Sequence, residues 1–339
     1  RQMCIRDRLE AAAGKIANLA HKEDIDIDTI LSDSSRALSD VTHAHAEIVS
    51  RASTIGDVMS DVAMDAVQWR AEPGDVRGFG CGIAPIDISV GGFVTDEYIL
   101  VAGRPAMGKT TLLVQLIRGL AEQGARVLMF SFEMSAKAVG RKMACQLARV
   151  PGAGLKSGKL TGSQFESFLQ ATDEIAKLPI VIESRKGIDV GTMRSIASSH
   201  RYNNGLDFVF VDTINRVRTP GGSQYERMTL TSHLLADWSD DHVGIIAAAQ
   251  LNRTSTNKVP EMSELQDSGA LEQDADQIFA VHRDYYYTRE IAKKHEADLW
   301  HLKHRDGEAG TKIELFWADW PGFGILETQE EATQNSLEL

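Results

Sequence analysis

Tyr98-Ile-Leu-Val-Ala-Gly103-Arg104-Pro105-Ala106-Met107-Gly108-Lys109-Thr110-Thr111 is the stretch whose reading decides the fold. An apolar run of strand length ends in Gly-x4-Gly-Lys-Thr, and an amphipathic segment (Thr111-Leu-Leu-Val-Gln-Leu-Ile) follows at once. Strand, glycine-rich turn and helix in that order form a P-loop, a cradle for the phosphates of a nucleotide. Glycines let backbone N–H groups curl around phosphate oxygens, and the helix N-terminus adds partial positive charge. In this reading Gly103 to Thr111 contact the nucleotide, Lys109 reaches the β- and γ-phosphates, and the Thr110 hydroxyl ligates Mg²⁺.

Working outward, short β runs alternate with amphipathic helices. Strands are expected at Tyr98–Ala102, Val127–Phe132, Ile180–Glu183, Phe208–Asp212, Gly244–Gln250 and Gln277–His282. That alternation predicts an α/β fold with a mostly parallel central sheet. Asp298–His304 and Lys312–Trp317 flank a Gly307/Gly310 turn and read as a terminal hairpin, with Trp317 and Trp320 as core. Upstream the pattern is helical at Leu9–His21, Asp28–His45 and Ala52–Arg70, with Asp26 and Asp28 as helix-start residues. The Gly/Pro cluster from Glu72 to Gly82 reads as a linker and turn. The domain plan is therefore a helical segment at 9–71, the α/β domain at 72–326, and a polar, disordered tail at 327–339. Met3–Arg8 resembles a translated sequencing adapter, so residues 1–8 are set aside as non-native and the chain is read as a fragment.

Composition narrows the class. The 339 residues are 43% hydrophobic and 25% charged, as in an ordinary globular protein, and no apolar run has the length of a membrane span. Three widely spaced cysteines suit a reducing cytoplasm, bacterial or phage-infected. The pairs His43/His45 and His301/His304 have no metal-ligand company and read as ordinary surface or packed histidines. A net charge of −12 argues against a broadly basic surface, yet leaves room for a narrow basic track.

Three further strand ends carry polar chemistry. Leu206-Asp-Phe-Val-Phe-Val-Asp212 puts a carboxylate at the carboxyl edge of the sheet, where ligands gather in open α/β folds, so Asp212 is the candidate for Mg²⁺ coordination. A plain turn aspartate is the alternative. Val127-Leu-Met-Phe-Ser-Phe-Glu133 supplies a candidate general base, or else a residue supporting the start of the next helix near Ser135. Gly244-Ile-Ile-Ala-Ala-Ala-Gln250 ends in an amide placed to sense a γ-phosphate, or to satisfy loop backbone.

The ordered set VAGRPAMGKTT, FSFEMS, DFVFVD, AAAQLNR, LQDSGALEQDADQIF and LKHRDG resembles the DnaB-type replicative helicases, from about Gly78 to Gly324. Weaker likeness to that family's N-terminal and linker helices reaches back to about Leu9. The block from Ser268 to Asp276 distinguishes it among P-loop families. The resemblance implies a RecA-like ATPase core with a small helical N-terminal segment. It also implies a homo-hexameric ring on single-stranded DNA, 5′-to-3′ translocation, ATP and Mg²⁺ as cofactors, and primase and a helicase loader as partners. It assigns Glu133 as catalytic base, Asp212 as the second nucleotide acid, Gln250 as sensor, and Arg305 with Lys303 as a trans-acting pair. A guanidinium from a neighbour can neutralise charge on the transferring phosphoryl. Exposed charges on an edge hairpin remain the alternative for both.

This chain also departs from the family. Gln266 and Asp267 stand where arginine and glutamate are usual in the DNA-facing loop, so DNA contact shifts toward Arg253, Lys258 and backbone at Gly269. Asp306 replaces a commoner asparagine, and Asp237-Trp-Ser-Asp-Asp241 lacks the lysines often found there. A divergent member, with a phage origin among the readings, fits these changes. Within Tyr285-Tyr286-Tyr287, Tyr287 is the candidate to stack on adenine or a neighbouring subunit, with packing as the alternative. A RecA-type recombinase and a non-unwinding ring component are the competing functions. The Leu9–Arg70 helices count against the first, and the intact set Lys109, Thr110, Glu133, Asp212, Arg305 against the second.

Overall fold

The computed structural model describes residues 12–20, 26–27, 29–37, 54–71, 76–251, 259–265, 269–305, 307–320 and 322–324. The chain divides into two compact units, Arg1–Gly74 with Gly191–Ser199, and Asp75–Val190 with His200–Leu339.

In the first unit, residues 12–20 and 29–37 are helical and α1 spans Ile55–Ala71. Asp26 opens the second stretch: its carboxylate accepts from the Thr29 N–H at 2.9 Å and the Thr29 hydroxyl at 2.6 Å. Those bonds satisfy donors that a helix start leaves orphaned. Asp28 and the remaining parts of the expected helices lie outside the described residues, as do residues 1–8, 327–339 and the His43/His45 pair.

The second unit is built on a nine-stranded sheet of order β3-β2-β4-β5-β1-β6-β7-β8-β9. In chain order the strands are Tyr98–Gly103, Val127–Ser131, Ile180–Glu183, Phe208–Asp212, Gly244–Gln250, Gln277–His282, Glu296–His304, Thr311–Trp317 and Phe323–Gly324. The helices after α1 are α2 Ala84–Val90, α3 Lys109–Glu122, α4 Ala136–Leu147, α5 Gly152–Ser157, α6 Gly162–Ile175, α7 Val190–Asn204 (its residues 191–199 counted with the first unit), α8 Gln224–Ser239, α9 Gly269–Asp274 and α10 Tyr285–Thr288. Strands β3 to β6 pair in parallel, and from β6 onward the pairing is antiparallel. Strands β1, β2, β4 and β6 are buried at every position, which requires cover on both faces and explains their unbroken apolar runs.

The Gly/Pro stretch is an ordered turn from Gly78 to Gly82. Phe79 pairs with Phe93, and the N–H groups of Cys81 and Gly82 donate to the Asp87 carboxylate at 2.7 and 3.1 Å. Glycine there serves close approach, since a Cβ on Gly78 would lie 2.3 Å from the Phe93 carbonyl oxygen. The expected terminal hairpin is β7 and β8, and because β7 lies between β6 and β8, the alternative of Lys303 as an edge-strand charge fails.

Candidate nucleotide site

Parallel pairing brings the carboxyl ends of β1, β2, β4 and β5 to one edge of the sheet, and the chemistry collects there. Strand β1 leads into the P-loop and α3 starts at Lys109. Gly108 is the N-cap, at φ 111°, with no side-chain cap, so the first-turn amides are presented to an anion. Gly108 has a second constraint: a Cβ would lie 2.8 Å from Trp317 Cζ3 and 3.0 Å from Phe323 Cζ. Ala106 also takes a left-handed backbone, at φ 65°. Arg104 and Met107 are buried, whereas Pro105, Ala106, Gly108, Lys109, Thr110 and Thr111 line a cavity of about 510 Å³.

Glu133, Lys142, Asp212, Thr213, Gln250 and Trp317 complete the lining. Lys109 Nζ donates to the carbonyls of Gly103 at 2.7 Å and Arg104 at 3.2 Å. Burial pushes its pKa down to about 8, against the attraction of Asp212 and Glu133. Asp212 is only 2% exposed and its Oδ2 has no hydrogen-bond partner. Burial raises its pKa; the Thr110 hydrogen bond, Lys109 and Lys142 oppose that rise, and the Glu133 charge adds to it. A buried carboxylate oxygen left open beside the Thr110 hydroxyl is a donor set of hard oxygens, the kind that suits Mg²⁺.

Glu133 is half-exposed, with Arg216 Nε 3.6 Å from its Oε1. It does not cap α4, because the Ser135 hydroxyl accepts from the Ala138 N–H at 3.3 Å. Four residues at or beside the cavity, among them Thr213 directly after Asp212, were missed in the sequence. Lys142 reaches in from α4 and donates to Thr111 Oγ1 at 3.0 Å; burial lowers its pKa, with Asp212 opposing. Arg216 lies beside Glu133. Trp317, expected as core, is half-buried and walls the cavity, with the Arg283 guanidinium 3.7 Å above its ring. No spacing rule marks a lysine two turns into a helix, or a strand-end tryptophan, as a cavity residue.

The remaining predicted residues lie elsewhere. Lys303 Nζ donates to the carbonyls of Glu272, Gln273 and Ala275 at 2.7, 3.1 and 2.6 Å, closing the C-terminus of α9. Arg305 is 71% exposed and its Nη1 donates to Asp276 Oδ1 at 2.8 Å. Tyr287 stacks on His282 with centroids 6.2 Å apart, and Arg104 Cζ lies 5.9 Å from the Tyr287 ring, behind the P-loop. Gly269 begins α9, while Arg253, Lys258, Gln266, Asp267 and Asp306 lie outside the described residues. Among the described residues, no helix is long and apolar enough to cross a membrane.

A parallel-sheet edge that unites a P-loop, a strand-end aspartate and a nearby glutamate defines a P-loop nucleotide hydrolase with a RecA-like core. Residues 78–321 match the DnaB-like helicase C terminal domain. The chain is 27% identical over 328 residues to the replicative DNA helicase DnaC of Bacillus subtilis (strain 168), covering 94% of this chain and 72% of that protein. It is 26% identical over 335 residues to the replicative DNA helicase DnaB of Geobacillus stearothermophilus, covering 96% and 73%. A solved DnaB-like replicative helicase, described with its interactions with primase, superposes with a TM-score of 0.80 at 22% identity, over 96% of this chain and 77% of that one. That last likeness bears on fold alone. The chain belongs to the DnaB-like helicase family, the ATP-dependent DNA helicases of replication.

Proposed function

We propose that this chain is the motor of a replicative helicase that hydrolyses ATP at the 510 Å³ cavity and moves along single-stranded DNA. The observation that carries the reading is the convergence of Lys109, Thr110, Glu133, Asp212 and Gln250 on that one cavity. The P-loop amides and Lys109 bind the β- and γ-phosphates, for which Lys109 exchanges its two carbonyl acceptors for phosphate oxygens. Thr110 and Asp212 hold Mg²⁺, directly or through water. Bound there, the ion supplies charge neutralisation on the β- and γ-oxygens. A Glu133 carboxylate oxygen takes the proton of the attacking water, and Gln250 reads the γ-phosphate from the end of β5.

A neighbouring subunit's Arg305 stabilises the transferring phosphoryl in a homo-hexameric ring, which requires it to leave Asp276. Lys303 acts beside it only if it releases the α9 carbonyls, so Arg305 is the principal finger in this proposal. Arg253, Lys258, Gln266, Asp267 and the backbone at Gly269 face DNA, translocation runs 5′-to-3′, and Tyr287, packed on His282 and beside Arg104, backs the P-loop rather than stacking on adenine. Primase and a helicase loader are the proposed partners.

Unwinding of forked duplexes with either tail polarity, with single-strand-stimulated ATPase read in parallel, tests the proposal. Wild type should open the fork, and Lys109→Ala and Arg305→Ala should not. ATP hydrolysis on single strands with no fork opened under either polarity would sink it.

A further inference from the structure

Arg104, the second residue of the P-loop, does not line the cavity and is 4% exposed. Its Nη2 donates to both carboxylate oxygens of Glu264, at 2.9 and 2.8 Å, from 160 residues away in sequence. Glu264 is 11% exposed in its turn. A buried guanidinium–carboxylate pair of this kind fixes orientation as well as distance. Such pairs add little net stability once desolvation is counted, so a role in geometry is the more informative reading.

The pair belongs to a closed circuit. Glu264 ends the one-turn segment Met262–Glu264, and the next residue, Leu265, pairs antiparallel with Leu251. Leu251 follows Gln250, and its N–H donates to the Gly103 carbonyl at 3.3 Å. That same carbonyl accepts from Lys109 Nζ at 2.7 Å, and the neighbouring carbonyl of Arg104 accepts from it at 3.2 Å. Displacement of the Leu251/Leu265 rung therefore pulls on the phosphate cradle at two points, Gly103 through the backbone and Arg104 through Glu264.

We propose that Glu264 is a positioning residue: through Arg104 it couples the phosphate cradle to the Leu251/Leu265 rung, so that nucleotide and single-stranded DNA each change the affinity of the site for the other. This rests on the DNA-motor reading above, since the residues proposed to face DNA adjoin that rung in sequence. Glu264 touches neither phosphate nor DNA in this account.

Coupling is a ratio of affinities and must be equal in both directions, which gives a readout that a purely structural ion pair would not move. The affinity of the full chain for labelled oligo-dT is measured by fluorescence anisotropy, with and without Mg²⁺ and a non-hydrolysable ATP analogue, for wild type, Glu264→Gln and Glu264→Asp. Wild type should bind oligo-dT about tenfold tighter with the analogue, a coupling of ordinary size, and Glu264→Gln about twofold tighter or less. Each ligand alone should bind Glu264→Gln as it binds wild type, and Glu264→Asp, which keeps the charge but shortens the reach, should be intermediate. Full wild-type coupling in Glu264→Gln overturns this inference and leaves the motor reading standing. Wild type that binds neither ligand overturns both, as does wild type with no coupling in this assay and no fork opening. Should Glu264→Gln fail to fold in a thermal melt, Glu264→Asp decides: full coupling there overturns the inference and reduced coupling supports it.

Discussion

Replacing Lys109 by methionine should make the nucleotide-free protein more stable while destroying its activity. Burial moves the Lys109 pKa from the usual 10.5 down to about 8. At about 1.36 kcal/mol per pH unit, keeping the ammonium charged in the folded state costs roughly 3 kcal/mol. The variant also loses the hydrogen bonds to the Gly103 and Arg104 carbonyls, at about 1 kcal/mol or less each, leaving a net gain of about 1–2 kcal/mol. For a chain of this size that is a rise in Tm of about 1.5–3 °C near neutral pH.

The pH dependence makes this a sharper test than one melting temperature. Below pH 8 the ammonium is charged in both folded and unfolded chains, so the whole cost is present. Between about 8 and 10.5 the folded protein gives up the proton while the unfolded chain keeps it, so wild-type stability rises relative to the variant. Melting scans of both proteins without nucleotide, from neutral pH upward, should show a gap that narrows through that window. A methionine variant that melts at or below wild type at neutral pH refutes the reasoning, as does a gap of constant size. Nucleotide added at neutral pH should raise the Tm of wild type and leave the variant unmoved.

Gly108→Ala should lose nucleotide affinity and about 1–3 kcal/mol of stability in calorimetry and denaturant melts, because the new Cβ meets Trp317 and Phe323 at φ 111°. Trp317 walls the cavity, so Mg²⁺–ATP analogue binding should change tryptophan emission in wild type and not in Trp317→Phe; an unchanged response in that variant removes Trp317 from the site. If Arg305 acts across subunits, inactive Arg305→Ala and inactive Glu133→Gln proteins should regain ATPase when mixed. The mixture reaches about a quarter of wild-type turnover under random assembly with one wild-type interface in four, and silence of the mixture in rings shown to be hybrid would place the finger in cis.

The parallel part of the sheet was legible because its inner strands, buried on both faces, leave continuous apolar runs, while the partly exposed β3 was read from its short Ile-Val-Ile run. Ile180–Glu183, Phe208–Asp212, Gly244–Gln250 and Gln277–His282 have the bounds their sequences suggest, and β1 runs one residue further, to Gly103. Polar residues at strand ends also named three cavity residues, Glu133, Asp212 and Gln250, and the P-loop motif named Lys109 and Thr110. Illegible were features that depend on distant segments meeting. The two-residue β9 has no pattern to detect, and the Gly78–Gly82 turn looks like linker until its approach to Phe93 is seen. Lys142, Arg216 and Trp317 reach the site by packing, and nothing in their spacing ties them to the P-loop. Lys303 shows the reverse: its motif suggested a role across subunits, while its ammonium here closes the end of α9.

The charge of the cavity gives the interfacial reading its physical reason. Among the described residues its lining holds two lysines, Lys109 and Lys142, and two acids, Glu133 and Asp212, so the cavity itself is close to neutral. Both lysines already carry a desolvation cost, seen in their lowered pKa values, which an incoming triphosphate would relieve. Phosphoryl transfer spreads further negative charge over oxygens in a region of low dielectric, where one well-placed cation counts for far more than in water. No arginine lines the cavity among the described residues, and Arg216, outside the lining, lies 3.6 Å from Glu133. Arg305, 71% exposed and paired with the largely buried Asp276, is the cation this reading recruits from a neighbour. If the guanidinium comes from a neighbour, as proposed, the chain hydrolyses ATP only when a second copy is in register, and each hydrolysis would then report on an interface.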